Sequence, residues 1–274
     1  MSIASLEQML DADRYGGKAA QLAAAFRAGL PVPRGVALSV DVVEAVAAGD
    51  PAAPAELERA WSLLRPPLAV RSSAVGEDSE TTSFAGQHLT TLNVCRAADA
   101  LAAVEAVWRS GHAESALAYR RRLGVAGTPR IGAVLQELID ADCGRPLHPQ
   151  SSGRRGRARR GSRLGPRRSG RPAGLVTPDR FRITRDGIVV ERVVGEKDVA
   201  VVLAPEGGTH EIAVSVERVR RLCLDDRQLA ELASLAELCE RSFGGGRDLE
   251  WAFADGALYL LQCRALTRST SLIF

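Results

Sequence analysis

The sequence predicts a mixed α+β fold. Alanine-rich stretches with apolar residues at helical spacing alternate with short apolar runs that are typical of strands. The chain has 274 residues, of which 46% are hydrophobic and 25% charged. This composition indicates a globular protein rather than a disordered one, and the length allows one large domain or two small ones.

The N-terminal quarter predicts a loop, a helix, a strand and further helices. Residues 16–29, GGKAAQLAAAFRAG, open with two glycines, continue at helical spacing and stop at Gly29. Two prolines then turn the chain into the short strand VALSV at 36–40. Residues 40–65 predict one or two helices, interrupted at Gly49-Asp50-Pro51.

The middle of the chain predicts three strands around one long helical stretch. LAVRSSA at 68–74 is an apolar strand that ends in small polar residues, and residues 84–94 predict a second strand. The segment 98–124 is strongly helical and broken near Gly111. Residues 131–142, IGAVLQELIDAD, predict a strand with an acidic end.

The C-terminal part predicts strands, a helix and a final hairpin. The region 175–203 is β-rich with an Arg-Asp-Gly turn, and residues 226–242 predict the last helix. RDLEWAFADGALYLLQCRALT, at 247–267, predicts a hairpin that turns at Asp255-Gly256.

The predicted hairpin has one polar face. A three-residue loop at 255–257 places Glu250 opposite Gln262 and Asp248 opposite Arg264. A half-solvated surface strand is the alternative, but an acid, an amide and a guanidinium in register indicate a binding site. The other face is then apolar, formed by Trp251, Phe253, Tyr259 and Leu261.

The basic charge of the chain is concentrated in one segment. Residues 145–171 contain ten of the 36 Lys and Arg residues and no Asp or Glu. The remainder carries 26 basic against 33 acidic residues, although the net charge is +3. A nucleic-acid-binding arm is one interpretation. However, the segment has no aromatic residue to stack on bases and lies inside the chain, so we expect no nucleic-acid partner.

The cysteines and the hydropathy predict a cytoplasmic protein. The five cysteines are scattered and form no CxxC pair, which argues against a disulfide framework or a zinc site and for a reducing compartment. No signal peptide is visible at the N-terminus. No apolar run reaches the roughly 20 residues of a membrane helix.

Four stretches could each bind part of a phosphorylated ligand. Lys18 follows two glycines at a predicted helix N-terminus, where backbone N–H groups and an ammonium favour a phosphate. Arg71 ends an apolar strand beside two serines, and residues 83–91, SFAGQHLTT, allow a close backbone approach. Gln136-Glu137 ends another strand. Taken singly, each stretch is equally consistent with a capped helix or a solvated strand end.

Together, the order and spacing of these stretches resemble one family. GGKAAQLAAAFRAGLPVPRGVALS, LAVRSSAVGEDSETTSFAGQHLTTLNV, AVLQELIDADCG, GLVTPDRFRI and LEWAFADGALYLLQCRALT are similar to the ATP-binding domain of the phosphoenolpyruvate synthase family. That family includes pyruvate phosphate dikinase and the rifampicin phosphotransferases. The resemblance covers nearly the whole chain except residues 145–172.

The resemblance implies one ATP-grasp domain over residues 1–274, whose two α+β lobes, roughly 1–130 and 131–267, close on ATP and Mg²⁺. Family members cleave ATP to AMP and phosphate and pass a phosphoryl group to a histidine on a separate domain, then to pyruvate or a small hydroxyl compound. We expect the phosphohistidine and acceptor domains to be absent, and therefore no catalytic residue on this chain. His210, in GGTH, lacks the longer glycine-rich and Ser/Thr-His-Ala sequence that surrounds the family's phosphohistidine. We therefore expect it in a connection between strands.

The resemblance also assigns roles to eight residues. Lys18 and Arg71 hold phosphates, while Gly86 and Thr90 line the phosphate path. Gln136 lies at the adenine end. The metal and phosphate side is completed by Glu250, Gln262 and Arg264, of which Glu250 and Gln262 are the metal ligands.

Residues 145–172 depart from the family, which has a Val-Leu-Phe-Thr-x-Asn-Pro strand and a Trp-Gly-Leu-Gly-Glu loop at this place. Codons compatible with residues 144–154, read one base later, spell Ala-Val-Leu-Phe-Thr-Arg-Asn-Pro-Val-Asp-Gly. In the same frame, 161–171 spell Glu-Ala-Ala-Trp-Gly-Leu-Gly-Glu-Ala-Val-Val. We therefore hypothesise a compensated frameshift, entered near Cys143 and left near 172–174.

The frameshift hypothesis has structural consequences. An arginine-rich segment cannot be buried in a sheet without stranded charges, so we expect 145–172 to be exposed and irregular. ATP binding is then weak or lost, and the chain is a fragment or an impaired copy. A non-catalytic ATP-sensing or interaction module is the alternative function. Convergence of Lys18, Arg71, Glu250 and Gln262 on one cleft favours the phosphotransferase.

Overall fold

The structure of the chain is a computed structural model, which confirms the mixture of helices and sheets. It describes residues 2–76, 89–122, 124–125, 127–151, 158–164, 177–184 and 187–265. Of residues 143–151 and 158–164 it describes the backbone. The predicted site residue Gly86 lies outside the described residues.

A five-stranded antiparallel sheet forms the first half of the fold. Its strands run in the order β1 (Ile3–Ser5), β2 (Gly35–Leu38), β5 (Ile131–Glu137), β3 (Leu68–Ala74) and β4 (Thr90–Val94). The central strand β5 pairs with β2 on one side and β3 on the other. The expected lobe boundary at 130/131 is therefore wrong, because β5 belongs to this sheet and the chain leaves it only after Glu137.

Helices cover one face of the first sheet. They are α3 (Val40–Ala47), α4 (Ala53–Ser62) and α5 (Ala97–His112), whose buried side chains share one core cluster with β2, β3 and β5. The predicted break near Gly111 is confirmed, because α5 ends at His112 and α6 (Glu114–Arg122) begins after one intervening residue. A Cβ on Gly111 would lie 1.8 Å from Ile131 Cδ1, so this glycine leaves room for that side chain of β5.

The opposite face of the sheet is covered by α1 (Ala12–Tyr15) and α2 (Gly17–Arg27). Buried alanines and Leu22 of α2 pack against Ala37 and Val134 of the sheet. The same core cluster continues into the second half of the fold, so α2 is sandwiched between the two halves.

A six-stranded antiparallel sheet forms the second half. Its order is β13 (Ala257–Ala265), β12 (Arg247–Ala254), β6 (Cys143–Ser151), β7 (Ala158–Leu164), β8 (Asp179–Ile183) and β9 (Val189–Val193). The helix α8 (Asp226–Phe243) packs on it, burying Leu229 and Leu232 in one cluster with Leu249 and Trp251. A capping box formed by Asp225 and Gln228 starts this helix.

The expectation of an irregular segment at 145–172 is wrong for its described part. Residues 145–151 pair with β12 and with β7, and residues 158–164 pair with β8. Arginine keeps its backbone N–H and C=O groups, so arginines do not prevent pairing. The exposure of these side chains and the rest of the segment lie outside the described residues.

A small hairpin is tied to the first sheet. It consists of β10 (Val199–Leu203) and β11 (Thr209–Ala213) and is followed by α7 (Val216–Val219). Asn93, at φ 57° near the end of β4, donates through Nδ2 to the carbonyls of Ala204 and Gly208, each at 2.7 Å. His210 lies in β11, exposed and opposite Val202, rather than in a connection.

In the described part of the chain, each helix is too short or too polar to cross a membrane. Four of the five cysteines form no disulfide in the described part of the chain, namely Cys95, Cys223, Cys239 and Cys263.

Candidate functional site

Arg71 lies at the centre of a polar cluster between the two sheets. It is 7% exposed. Its Nη1 donates to Gln136 Oε1 at 3.2 Å and to the Leu261 carbonyl at 2.5 Å. Its Nη2 donates to Glu250 Oε2 and Gln262 Oε1, each at 3.3 Å. One guanidinium therefore connects β3 and β5 of the first sheet to β12 and β13 of the second.

The hairpin β12–β13 supplies the second half of the cluster through a β-bulge. Its loop has two residues, Asp255 and Gly256, at φ 50° and 75°, as in a type I′ turn. A two-residue loop alone would put Glu250 opposite Leu261. The register shifts between Glu250 and Trp251, so Leu261 has no opposite residue and Glu250 lies opposite Gln262.

This bulge decides which sequence predictions hold. The predicted pairs Glu250–Gln262 and Asp248–Arg264 are confirmed, although the loop is one residue shorter than expected. The predicted apolar face is right for Trp251 and Phe253 but wrong for Tyr259 and Leu261. On β13, Leu258 and Leu260 pack in the core instead, because the shorter loop exchanges the two faces on the turn side of the bulge.

Lys18 is held against β3 by the N-terminus of α2. Its side chain is buried and donates through Nζ to the Ser72 carbonyl at 3.1 Å. The Ser73 hydroxyl accepts from Ala19 N–H at 3.0 Å and so caps α2 from outside the helix. The first glycine of the GGK motif is needed for this docking, because a Cβ on Gly16 would lie 1.9 Å from Ser73 O.

Gln136 is buried and bound at both ends of its amide. Its Oε1 accepts from Arg71, and its Nε2 donates to the Pro33 carbonyl at 3.1 Å. The side chain therefore orients Arg71 in this structure. Its assignment to the adenine end of a nucleotide stays a prediction.

Thr90 lies opposite Arg71 in the β3–β4 ladder and is half-buried. Opposite residues in a ladder project to the same face of the sheet, so the Thr90 hydroxyl shares the face of the Arg71 side chain. Thr90 is the described residue of the predicted phosphate path, whereas Gly86 lies outside the described residues.

Arg264 is paired rather than directed at Arg71. Its Nε donates to Asp248 Oδ2 at 2.6 Å, and Asp248 is 5% exposed while the Arg264 side chain is 24% exposed. Asp248 is the one residue of the polar row to which no ligand role was assigned from the sequence. Its carboxylate holds Arg264 at the rim of the cluster.

The cluster suits a polyanion accompanied by a cation. Its described charged groups are three cations, Lys18, Arg71 and Arg264, and two carboxylates, Asp248 and Glu250. The surplus positive charge is partly buried, where it acts more strongly on an anion than it does in water. The Glu250 side chain is 42% exposed, so its carboxylate is accessible from solvent. Among the described residues, no group of three or more His, Cys, Asp or Glu forms a metal site by itself.

A second buried polar cluster surrounds Asp179, which lies in the GLVTPDRFRI stretch but received no role from the sequence. Asp179 Oδ1 accepts from Lys197 Nζ at 2.5 Å and from Gly195 N–H at 2.7 Å. Its Oδ2 accepts from the Cys223 N–H at 3.0 Å and from Sγ at 2.9 Å. Burial raises the pKa of this carboxyl, but the hydrogen bonds from Cys223, Lys197 and Gly195 outweigh it and hold the pKa below its usual value. The cluster fastens β8 to two loops.

Comparison with known proteins identifies the family of this chain. Residues 50–155 and 170–272 match the family model "Pyruvate phosphate dikinase, AMP/ATP-binding domain". The unmatched stretch 156–169 lies inside the segment 145–172.

Curated relatives include rifampicin phosphotransferase of Streptomyces sviceus, 36% identical over 208 residues, which cover 74% of this chain and 24% of the relative. Phosphoenolpyruvate synthase of Pyrococcus furiosus is 32% identical over 214 residues, covering 73% and 26%. The chain spans about a quarter of the length of these relatives.

Among solved structures, the match to an ATP-grasp ligase complexed with its minimal precursor covers 92% of this chain and 53% of the ligase chain, with 16% sequence identity. Its TM-score of 0.33 is too low to bear on function. The match to the family model covers most of the chain, and the relatives agree with it. The chain belongs to the family of the pyruvate phosphate dikinase AMP/ATP-binding domain.

Proposed function

We propose that the Arg71 cluster is the phosphate and metal end of an ATP site with ATP-grasp architecture, within a dikinase-type phosphotransferase. One observation carries this proposal: Arg71 contacts Glu250 and Gln262, which are 179 and 191 positions away in the sequence. Lys18 donates to the carbonyl of Ser72, the residue that follows Arg71 in β3. A purely structural role does not require buried cations and an acid to gather where two sheets meet.

The cluster's own residues bind and orient the phosphates. Arg71 presents a planar fork that matches two phosphate oxygens, and Lys18 adds a point charge beside it. Thr90 and Gly86 line the path of the phosphates, and Arg264 approaches from the rim. Such a site promotes phosphoryl transfer by positioning and by charge neutralisation. Gln136 keeps Arg71 in place and lies toward the adenine.

Glu250 and Gln262 fit a magnesium ion. Both present side-chain oxygens, which are the ligands Mg²⁺ prefers, and Arg71 Nη2 already bridges them as a cation. A bound Mg²⁺ supplies charge neutralisation to the phosphates. It takes few ligands from the protein and the others from phosphates and water, so two protein oxygens are sufficient.

The proposed reaction cleaves ATP to AMP and phosphate, with a phosphoryl group passed to a histidine on a separate domain and then to a small acceptor. The relatives' names support it, since they are phosphotransferases and phosphoenolpyruvate synthases. They also differ in acceptor, which is what we expect if the acceptor is chosen outside the part that this chain shares with them. The four cysteines that are described without a disulfide agree with a cytoplasmic setting.

We further propose that residues 145–172 result from a compensated frameshift and that they weaken ATP binding. The unmatched stretch 156–169 supports this hypothesis for the second motif, since it includes most of the residues whose shifted frame spells the Trp-Gly-Leu-Gly-Glu loop, whereas the family match continues through residue 155. A glycine-rich loop approaches phosphates closely through its backbone, which arginine side chains obstruct.

Fluorescence titration with an environment-sensitive ATP analogue in Mg²⁺ tests the proposed site. We expect saturable but weak binding by the chain, and Arg71→Ala is expected to reduce the affinity by about tenfold or more, the effect of one lost charged hydrogen bond. Arg96→Ala is the matched control, because Arg96 is an exposed arginine whose described ion pair is with Asp99 at the start of its own helix. Equal binding by Arg71→Ala and the parent chain contradicts the proposed site.

A further inference from the structure

We propose that Arg71 and a divalent cation compete for the oxygen pair of Glu250 and Gln262, and that nucleotide phosphates decide the competition by drawing Arg71 away. This inference rests on the proposed function and adds a switch to it. Nucleotide then promotes metal binding at this pair in two ways: its phosphates chelate the metal, and they remove Arg71 from the two oxygens.

The geometry of the guanidinium carries the first step. Nη2 lies 3.3 Å from Glu250 Oε2 and 3.3 Å from Gln262 Oε1, so it bridges the two oxygens evenly. A cation bound by both oxygens has to lie between them as well. Because a guanidinium and a divalent cation repel each other and cannot share that place, one excludes the other.

The second step concerns what keeps Arg71 in place. Arg71 is 7% exposed, and a buried guanidinium needs both hydrogen-bond acceptors and a counter-charge. Gln136 Oε1 and the Leu261 carbonyl hold Nη1, but both are neutral. Among the described residues, Glu250 is the carboxylate in contact with Arg71. A cation that takes Glu250 therefore leaves Arg71 without its counter-charge.

The third step is the release. Phosphate oxygens offer Arg71 a stronger, bidentate and charged partner than Glu250 and Gln262 do at 3.3 Å. Once Arg71 binds phosphate, the oxygen pair is available to the metal. By linkage, metal bound at the pair raises phosphate affinity by the same factor.

Titration of Mn²⁺ followed by electron paramagnetic resonance, without nucleotide, tests this competition. We expect Arg71→Gln and Arg71→Met, which remove the charge, to bind Mn²⁺ at least about tenfold more tightly than the parent chain. Arg71→Lys keeps a cation and is expected to stay near the parent value. The double variant Arg71→Gln with Glu250→Gln is expected to lose the gain, which shows that the metal is bound at this pair.

The competition is wrong if folded Arg71→Gln and Arg71→Met, checked by circular dichroism, bind Mn²⁺ no more tightly than the parent chain. A second measurement needs no variant. Sulfate competes for Arg71 but chelates Mn²⁺ weakly, so it is expected to raise the Mn²⁺ affinity of the parent chain severalfold at constant ionic strength. An unchanged affinity in sulfate also overturns the proposal. If instead the proposed function is wrong, the binding of the ATP analogue does not depend on Arg71.

Discussion

The Leu261 carbonyl accepts a hydrogen bond from Arg71 Nη1 at 2.5 Å, across 190 positions of the sequence. Leu261 is the extra residue of the β12–β13 bulge, so its carbonyl is not needed by the strand opposite. The neighbouring Leu260 N–H donates to the Pro31 carbonyl at 2.8 Å. The bulge therefore joins the two halves of the fold at the cluster that we assign to ATP phosphates.

Shortening the bulge should disconnect the cluster. Deletion of Leu261 leaves a regular two-residue hairpin in which Glu250 faces Gln262 without a carbonyl for Arg71. We expect the fold to persist and ATP-analogue affinity to fall by about tenfold or more, since a charged hydrogen bond is lost. Leu261→Ala keeps the backbone and is the control. If the deletion binds as well as Leu261→Ala, the bulge has no role in the site.

Gly16→Ala should destabilise the protein strongly. The new Cβ would lie 1.9 Å from Ser73 O, and Gly16 has φ 83°. We expect the free energy of unfolding to fall by about 3 kcal/mol, from backbone strain plus the clash. Gly29→Ala is the matched control, because Gly29 has φ 74° but nothing within 4 Å of a Cβ, so strain alone costs about 1 kcal/mol. Urea unfolding of both variants measures the difference, and equal losses contradict the docking of α2 on Ser73.

Asp179 should contribute to stability against acid. Its pKa is held below the usual value, so the unfolded chain binds a proton at a higher pH than the folded chain. This stability is complete above the unfolded pKa of about 3.9 and is lost as the pH falls through the folded pKa. Asp179→Asn should weaken the dependence of the free energy of unfolding on pH in the acid range, which we call the acid limb. At pH 7 it should lower the free energy of unfolding by about 3 kcal/mol, because Lys197 stays buried without its partner.

The control for Asp179 is Asp99→Asn. The pKa of Asp99 is also lowered, by its hydrogen bond to Arg96, but the pair is exposed and solvent screens it. We expect little change in stability from that variant. Unfolding curves measured from pH 2 to 7 compare the two, and an acid limb unchanged by Asp179→Asn rules out this role for Asp179.

The gene should carry a frameshift across residues 145–172. Sequencing the locus checks this directly: read one base later from Gly144, its codons are expected to spell the Val-Leu-Phe-Thr and Trp-Gly-Leu-Gly-Glu stretches. Codons that spell unrelated residues in the shifted frame, or that contain stops there, contradict the hypothesis.

Much of the fold was predictable because local patterns determine it. The strand at 68–74, the break between α3 and α4 at Gly49 and the last helix follow from hydrophobic spacing and glycine punctuation. The lobe boundary was not predictable in this way, because only long-range pairing puts β5 at the centre of the first sheet.

The candidate site was predictable in its membership but not in its contacts. The alternation of polar residues in β12 and β13 predicted that Glu250 lies opposite Gln262. The shorter loop and the bulge, which together give the same pairing, depend on contacts with Pro31 and Arg71. The GGK motif predicted a helix N-terminus that favours a phosphate, and the structure adds a steric reason for Gly16 that the sequence cannot show. The partners of Asp179 lie 16 to 44 positions away in the sequence and no quoted motif links them to it, so the cluster is visible only in three dimensions.

The central claim is that Arg71 and its partners bind ATP phosphates, and one comparison tests it most directly. Isothermal titration with Mg²⁺-ATP is applied to the chain, to a version whose gene is shifted by one base across 144–172, and to Arg71→Ala in that version. We predict that the shifted version binds at least about tenfold more tightly than the chain and that Arg71→Ala abolishes this gain. Tight ATP binding that survives Arg71→Ala would contradict the claim.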